Sequence, residues 1–436
     1  MATSVLIGLL CLVGFLVLIF IGVPISFAMA ISGLVGFALI RSTGAALSTF
    51  KEGVLNTFSN YTTSVVPMFV LMGELATEAG IGNDLFDCFQ AINGHRKAGL
   101  ANAAQVVCAI FGAICGSTAA TGAMMSRVAY PQMQRYGYSE ELSTGAISAG
   151  SCLASLIPPS LSLITYGLCA ETSIGKLFVG GILTGILLMV LFIITIQISC
   201  AIKPSLAPEK APKKTFKEKW TAIRKGGFIE IILVFAIAMG GMFSGWITAT
   251  EAGAIGCFGM LIIAIIFKRF TWKVLTNAIK NTLVMTGFVY CMLSCAKMMA
   301  SMFTLSRIPT ALAAYVAQLS IGRIWIILIL TIIYLILGSF IDGVPLLLLT
   351  TPVFLPIVQA MGFDSVWYGC YMVVIIGLGG ITPPVGAQCY VVAGSTKAPL
   401  VTVFKGSLPF IGAYVACAII MALVPGVATW LPSLMY

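Results

Sequence analysis

GSTAAT (Gly116 to Thr121) and GSFIDG (Gly338 to Gly343) are short polar interruptions in apolar surroundings, and each is followed by a proline pair. IPPS (Ile157 to Ser160) follows the first, and ITPPVG (Ile381 to Gly386) follows the second. Gly, Ser, Thr, Asp and Pro-Pro inside membrane-compatible sequence specify backbone that cannot all be helical, and lipid does not tolerate unpaired N–H and C=O groups. Such backbone has to sit inside protein, around something polar. The motif pair repeats with near-constant spacing: 42 positions separate Gly116 from Pro158 and 45 separate Gly338 from Pro383. From each proline to the next matched phenylalanine, Phe178 or Phe404, the count is 20 and 21. Two halves of one architecture follow.

The surroundings are those of a polytopic membrane protein. The chain has 436 residues, 59% apolar and 9% charged, with mean hydropathy +1.06, against about 25% charged residues in soluble domains. Apolar stretches of about 18 or more residues, enough to cross a core of about 30 Å, recur from end to end. No basic region precedes Val5 and no small-residue cleavage site ends a brief apolar run, so the N-terminus reads as retained rather than as a signal peptide. The thirteen cysteines fall mostly in apolar stretches without paired spacing, where thiols act as small apolar residues rather than as disulfides or metal ligands. The net charge of +10 is concentrated: eight basic residues between Lys203 and Lys225 oppose Glu209 and Glu218, with Pro204, Pro208 and Pro212 interleaved. The positive-inside rule puts this linker, 203–226, in the cytoplasm. No aromatic-interleaved basic surface accompanies it, which argues against nucleic acid as a partner.

Taken in order, Val5 to Ile40 is almost wholly apolar but for Gly22 and Pro24, and its 36 positions equal about 54 Å of helix: one long kinked helix or two short ones. Arg41 to Thr63 reads as an interfacial arm, and Ile81 to Ile92 as an amphipathic interface helix. In Ala98 to Ala129 about a dozen apolar residues flank GSTAAT on each side, too few for full spans and suited to a re-entrant hairpin. An exit loop from Tyr130 to Glu141 follows. Leu142 to Cys169 is a span split at Pro158 and Pro159, since proline removes a donor and clashes with the preceding turn. Leu177 to Ile202 crosses to the linker. Phe228 to Met242 and Ala252 to Phe267 are spans, Lys268 to Lys280 a second arm anchored by Trp272, and Thr282 to Phe303 a further span. Ile324 to Pro356 is the second hairpin, Val366 to Val392 the second split span, and Leu408 to Val424 the last. The fold class is therefore all-α, with two re-entrant hairpins and two Pro-Pro-broken helices in inverted repeats, because one half starts outside and the other inside.

Interrupted spans expose carbonyls that attract cations and N–H groups that attract anions. The expected Na⁺ donors are Gly116, Ser117, Thr118, Ser155 and Pro158 around the first motif, and Gly338, Asp342, Gly379 and Thr382 around the second. Thr121, Ser160, Asp342, Pro383, Pro384 and Gly386 are the expected contacts of an anionic ligand. Small residues also pack helices in membranes, but repetition together with the proline pairs favours a site. Asp342, if unpaired at mid-depth, costs about 2.5 to 3.5 kcal/mol, which a bound Na⁺ or a proton offsets. Glu74, Glu171 and Glu251 sit near the ends of apolar runs. Lys297 and Arg307 either attract the anion or snorkel, and His95 sits in a basic loop beside Arg96 and Lys97. No H-E-x-x-H, no GxSxG elbow and no paired intramembrane aspartates occur, which removes the common hydrolase readings. A channel would need a continuous polar lining, whereas here the polar groups are confined to two tips and two breaks.

CGSTAATGAMM (Cys115 to Met125), ASLIPPSLSLITYG (Ala154 to Gly167), ETSIGKLFVGGI (Glu171 to Ile182), GSFIDGVPLLLLTTPVFLP (Gly338 to Pro356) and GGITPPVGAQCYV (Gly379 to Val391) closely resemble the large membrane subunit of TRAP transporters, the DctM-like family, over essentially the whole chain. The resemblance implies a secondary transporter of the bacterial or archaeal inner membrane that imports organic acids with Na⁺ by an elevator movement, and no other cofactor. It implies two partners: a soluble periplasmic substrate-binding protein and a small membrane subunit, expected here as a separate polypeptide. It also divides the chain. Scaffold is expected at 1–64, 175–281 (with the second arm at 268–281) and 398–436, and transport elements at 65–174 and 282–397. A stand-alone ion-coupled carboxylate carrier, and a channel or facilitator, are the alternative readings.

Overall fold

The open question over Val5 to Ile40 resolves into two helices, α1 (Ala2–Phe20) and α2 (Ile25–Ile40). Gly22 stops α1 in a left-handed conformation, φ 95°. The Val23 amide then bonds back to Leu18 and the Gly22 amide to Ile19, the Schellman pattern that glycine permits. Pro24 precedes α2 directly. The computed structural model describes residues 2–208, 212–225, 227–318 and 322–435, and among them every regular element is helical.

The first half continues with α3 (Thr43–Ser59), α4 (Val65–Glu78), α5 (Ile81–Asn93), α6 (Gly99–Cys115), α7 (Thr118–Arg135), α8 (Glu140–Ser151), α9 (Leu161–Cys169) and α10 (Ile174–Ile202). Beyond lie α11 (Phe216–Lys225), α12 (Phe228–Phe243), α13 (Ala249–Ile266), α14 (Trp272–Ser306), α15 (Ile308–Gln318), α16 (Arg323–Phe340), α17 (Gly343–Ala360), α18 (Ser365–Gly380), α19 (Ala387–Thr396), α20 (Leu400–Leu423) and α21 (Gly426–Met435). Among the described residues, seven helices are long and apolar enough to cross a bilayer. The exposed faces of α1 and α13, including Leu10, Val13, Phe258 and Ile265, are apolar surface that hydrocarbon, not water, accommodates.

Four elements differ from the sequence expectation. The second arm and the span after it form one helix, α14, of 35 residues, because no proline interrupts Lys280 to Thr282 and the cap-type side chains there bond elsewhere, Asn281 to Glu74 and the Thr282 hydroxyl to the Ala278 carbonyl one turn back. The first arm is separate: after α3 the Asn60 side chain accepts the Thr62 amide at 2.8 Å and starts a short 3₁₀ turn. The predicted exit loop shrinks to residues 136–139, since α7 runs through Pro131 to Arg135. Helix needs no apolar side chains once its end is tied, and here the Tyr130 hydroxyl donates to Glu140 at 2.9 Å and the Gln134 amide to Ser143 at 3.3 Å. The hydrophilic linker contains a helix, α11, and a short helix, α21, follows the last span. In the linker, residues 209–211 and 226 lie outside the described residues.

Packing is reciprocal between the halves. α14 lies against α2, and α4 lies against α13. The return limb of each hairpin crosses to the other half: α7 packs on α19, and α17 packs on α9. α8 and α20 approach closely enough that a Cβ on Gly145 would stand 2.0 Å from the Gly406 carbonyl oxygen, so this crossing requires glycine. Beside it Phe192 meets Phe410 and Tyr414 edge-on, with centroids 5.5 and 5.2 Å apart. Each such pair adds about 0.5 to 1.5 kcal/mol beyond burial.

Candidate functional site

Both hairpin tips end where the sequence turns polar. α6 stops at Gly116, φ 62°, and α7 restarts at once with the Ser117 hydroxyl accepting the Ala120 amide at 3.3 Å. α16 stops before Ile341, and α17 restarts after Asp342, which is extended with φ −64° and ψ 158°. Both split helices break where expected. α8 passes through a 3₁₀ turn, Cys152–Ser155, and resumes as α9 at Leu161, capped by Ser160, whose hydroxyl accepts the Leu163 amide at 3.1 Å. α18 ends at Gly380 and α19 starts after Gly386, φ 55°. Both Pro-Pro bonds, Pro158-Pro159 and Pro383-Pro384, are cis.

Each tip meets the break that follows it in its own half. The Leu161 amide donates to the Gly116 carbonyl at 3.3 Å, and the Gly386 amide donates to the Ser339 carbonyl at 3.2 Å. Gly338 and Gly379 touch backbone to backbone: a Cβ on Gly379 would lie 2.7 Å from the Gly338 carbonyl carbon. Around the breaks, side-chain hydrogen bonds also join the two halves. The Gln388 amide donates to the Thr118 hydroxyl at 2.6 Å, the Ser151 hydroxyl donates to the Gln388 carbonyl at 3.4 Å, and the Tyr166 hydroxyl donates to the Ser365 carbonyl at 2.7 Å.

Between the tips lies a cavity of about 130 Å³. Its wall includes the N-terminal ends of four helices, at Thr118 and Ala119, Leu161 and Ser162, Gly343 and Val344, and Ala387 and Gln388. The opposite polarity is supplied by Gly116, Ser155, Gly338 and Gly380, in the last turn or just beyond the C-terminal ends of four more. N-terminal ends carry unpaired N–H groups and partial positive charge, and C-terminal ends carry unpaired carbonyls and partial negative charge. One small space is thus equipped for an anion and a cation together. Met285 and Phe288 of α14 complete the wall with apolar surface.

Of the residues expected from the sequence, Gly116, Ser117, Thr118, Ser155, Gly338 and Asp342 line this cavity, and the Asp342 side chain is exposed within it. The others stand behind it or beside it. The Thr121 hydroxyl donates to the Ser117 carbonyl at 2.8 Å, that of Ser160 to the Ser155 carbonyl, and that of Thr382 to the Leu378 carbonyl at 2.6 Å. Gly379 and Gly386 hold the second tip against its break, as above. Pro158 is buried, whereas Pro383 and Pro384 are exposed. The two breaks are therefore unequally covered in this conformation.

Gln388 is the residue that motif reading passes over. It is 5% exposed, lines the cavity, and bonds twice to the first half. Its signal was an amide side chain among the apolar residues of AQCYVV, a costly placement unless it is hydrogen-bonded. Met285 and Phe288 left no comparable signal, being two apolar residues in an apolar helix. The remaining charged candidates lie outside. Glu74 accepts from Asn281 at 2.9 Å, Glu251 closes a capping box with Thr248, and Glu171 and Lys297 line a separate crevice with Asn60 and Thr172.

A multi-pass, all-helical membrane protein whose interrupted helices enclose a small polar cavity belongs to the class of membrane carriers. The family model for the DctM component of the tripartite ATP-independent periplasmic (TRAP) transporters matches residues 12–427, and the chain belongs to that family. It is thus a permease component of the inner membrane and not an enzyme. The chain is 31% identical over 385 residues to the C4-dicarboxylate TRAP transporter large permease protein of Pseudomonas aeruginosa, covering 87% of this chain and 88% of that one. It is 29% identical over 425 residues to the ectoine TRAP transporter large permease protein of Halomonas elongata, covering 96% and 97%. The crystal structure of the Alcanivorax borkumensis YdaH transporter shares the fold, with TM-score 0.63 at 13% identity, covering 89% and 90% of the two chains.

Proposed function

We propose that this chain is the transport subunit of a Na⁺-coupled importer of an organic acid, carrying Na⁺ and a carboxylate together in the cavity between the two hairpin tips. The supporting observation is the convergence of four helix N-termini and four C-terminal ends on one cavity that also holds Asp342. Hard oxygen donors, namely the carbonyls near Gly116 and Gly338, the hydroxyls of Ser117, Thr118 and Ser155, and the Asp342 carboxylate, suit Na⁺. The N-terminal amides of α7, α9, α17 and α19 suit the carboxylate. Loading both neutralises the facing dipoles and charges, which lowers the cost of moving the site through apolar surroundings.

In this reading the halves are inverted repeats, and the hairpins with their split helices move against a frame as an elevator. α4 packs on α13, and α14 on α2, so we assign α4 and the second half of α14 to the frame rather than to the moving part. A small membrane subunit and a periplasmic binding protein complete the system. The C4-dicarboxylate relative motivates that substrate class first. The ectoine relative argues for screening more widely, including sialic acid and other sugar acids.

Uptake in proteoliposomes containing the binding protein and the small subunit tests the coupling. Accumulation should require an inward Na⁺ gradient, and full-rate uptake without Na⁺ rejects it. Uptake without any binding protein would instead support a stand-alone carrier, and failure to accumulate uphill a facilitator.

A further inference from the structure

The basic linker contains a helix with an unusual surface. α11, FKEKWTAIRK, is started by its own capping box: the Thr215 amide and hydroxyl donate to the Glu218 carboxylate at 2.6 and 2.8 Å, and the Glu218 amide donates to the Thr215 hydroxyl at 3.4 Å. A helix of 10 residues is marginal in water by itself, so it needs surfaces to lie on. One is protein. α11 packs on α5 and α12 with Lys219, Ala222 and Ile223 half-buried, and Lys214 faces Asp87 of α5 electrostatically.

The opposite face has no such cover. Phe216 is 83% exposed and Trp220 is 48% exposed. At i and i+4 they share a face, which Arg224 at i+8 and Lys217 beside it extend with positive charge, both exposed. Lys213 and Lys214 precede the helix, also exposed, while the Glu218 carboxylate is engaged in the cap. Just beyond α11, α12 opens with Ile229, Ile232 and Leu233, each about half exposed and apolar. The aromatic pair therefore lies nine and thirteen residues before the first of these apolar side chains.

We propose that α11 is an interfacial helix that inserts Phe216 and Trp220 at the headgroup boundary of the leaflet on the linker side and binds anionic phospholipid through Lys213, Lys217 and Arg224, strapping α5 to that leaflet. Aromatic side chains favour this depth, and clustered Lys and Arg beside a span attract anionic headgroups. Since α5 leads into α6, the first limb of the first hairpin, leaflet charge is communicated to the hairpin through this strap. The inference rests on the chain's membrane location and not on the identity of its ligand.

The test is hydrogen exchange of 215–224 in the full chain, held in nanodiscs of phosphatidylcholine alone or mixed with phosphatidylglycerol. Phosphatidylglycerol should slow exchange by about fivefold or more, the scale set by one basic residue near an anionic surface. Lys217→Gln with Arg224→Gln should abolish that lipid dependence. Phe216→Ser with Trp220→Ser should abolish protection in both discs, and brominated lipid should quench the native chain more than Trp220→Phe. Equal exchange in both discs overturns the proposal. So does protection that appears only when the small subunit is added and is the same in both lipids. None of these readouts involves uptake, so failure here leaves the transport reading standing, and failure of that reading leaves this one.

Discussion

The side-chain amide of Gln388 on α19 donates to the hydroxyl of Thr118 at the first hairpin tip, at 2.6 Å across 270 positions of sequence. This bond takes one lone pair of the Thr118 oxygen and leaves its other lone pair and its proton for the cavity. It also ties the tip of one half to the split helix of the other. Gln388→Met keeps the length and removes the bond. An unmade hydrogen bond at a half-buried hydroxyl costs about 1 to 3 kcal/mol, so the KM for uptake should rise about tenfold while assembly with the small subunit is retained. An unchanged KM would show that the bond does not position Thr118 for the ligand.

Asp342 tests the cation half of the cavity. It lines the cavity and, apart from an interaction with the Gly343 amide, makes no capping bond to α17. Asp342→Asn should therefore leave the thermal transition nearly unmoved. Charged hydrogen-bonding groups contribute about 1.5 to 3 kcal/mol, so the Na⁺ concentration for half-maximal uptake should rise about tenfold or more. A variant with native Na⁺ dependence removes Asp342 from the ion site.

The contact of Gly338 with Gly379 predicts a steric lesion. Gly379→Ala would put a Cβ 2.7 Å from the Gly338 carbonyl carbon and 2.9 Å from its Cα, and only backbone movement relieves that. Overpacking of this kind costs about 1 to 3 kcal/mol. The melting temperature should fall and uptake should drop, because the second tip is pushed off its break. Gly14→Ala on α1 is the control, since a Cβ there meets nothing within 4 Å.

A pH effect is expected at the loop between α5 and α6. Burial, with Lys219, Arg96 and Lys213 nearby, holds the His95 imidazole below its ordinary value. Well above pH 6.5 the ring is neutral in both folded and unfolded chain and contributes nothing. As pH falls through that value the unfolded chain takes up a proton that the folded loop resists, so the folded form loses relative stability until its own lower pKa is reached. Protection factors for hydrogen exchange of 93–98 and 213–219, taken relative to the intrinsic rate at each pH, should fall on moving from about pH 7 to about pH 5.5. His95→Gln should abolish the change, and a native response in that variant would assign it elsewhere.

Much of the cavity could be read from the chain alone. Glycine, serine and paired prolines within apolar sequence break helices by local sterics, and those rules act within a few residues. Hence GSTAAT, GSFIDG and both proline pairs appear as breaks in the structure, and six of the expected residues line one cavity. Helix ends depend on more. α7 continues past Tyr130 because its side chains bond to α8, and α14 runs unbroken because Asn281 bonds to Glu74 of α4 and Thr282 to its own helix rather than capping a new one, whereas hydropathy predicted an arm and a separate span.

The sequence by itself determined that this is a membrane-spanning helical protein with duplicated breaks, and it carried the family resemblance, since apolar content, spacing and backbone-breaking residues are properties of the chain read locally. Only the tertiary structure decided which of the polar residues meet. Thr121, Ser160 and Thr382 turn their hydroxyls to nearby carbonyls, while Gln388 reaches across to Thr118 and Met285 and Phe288 close the wall. Such choices depend on how helices far apart in sequence cross, and crossing is fixed by close contacts such as Gly145 on Gly406 that no periodicity within one helix records.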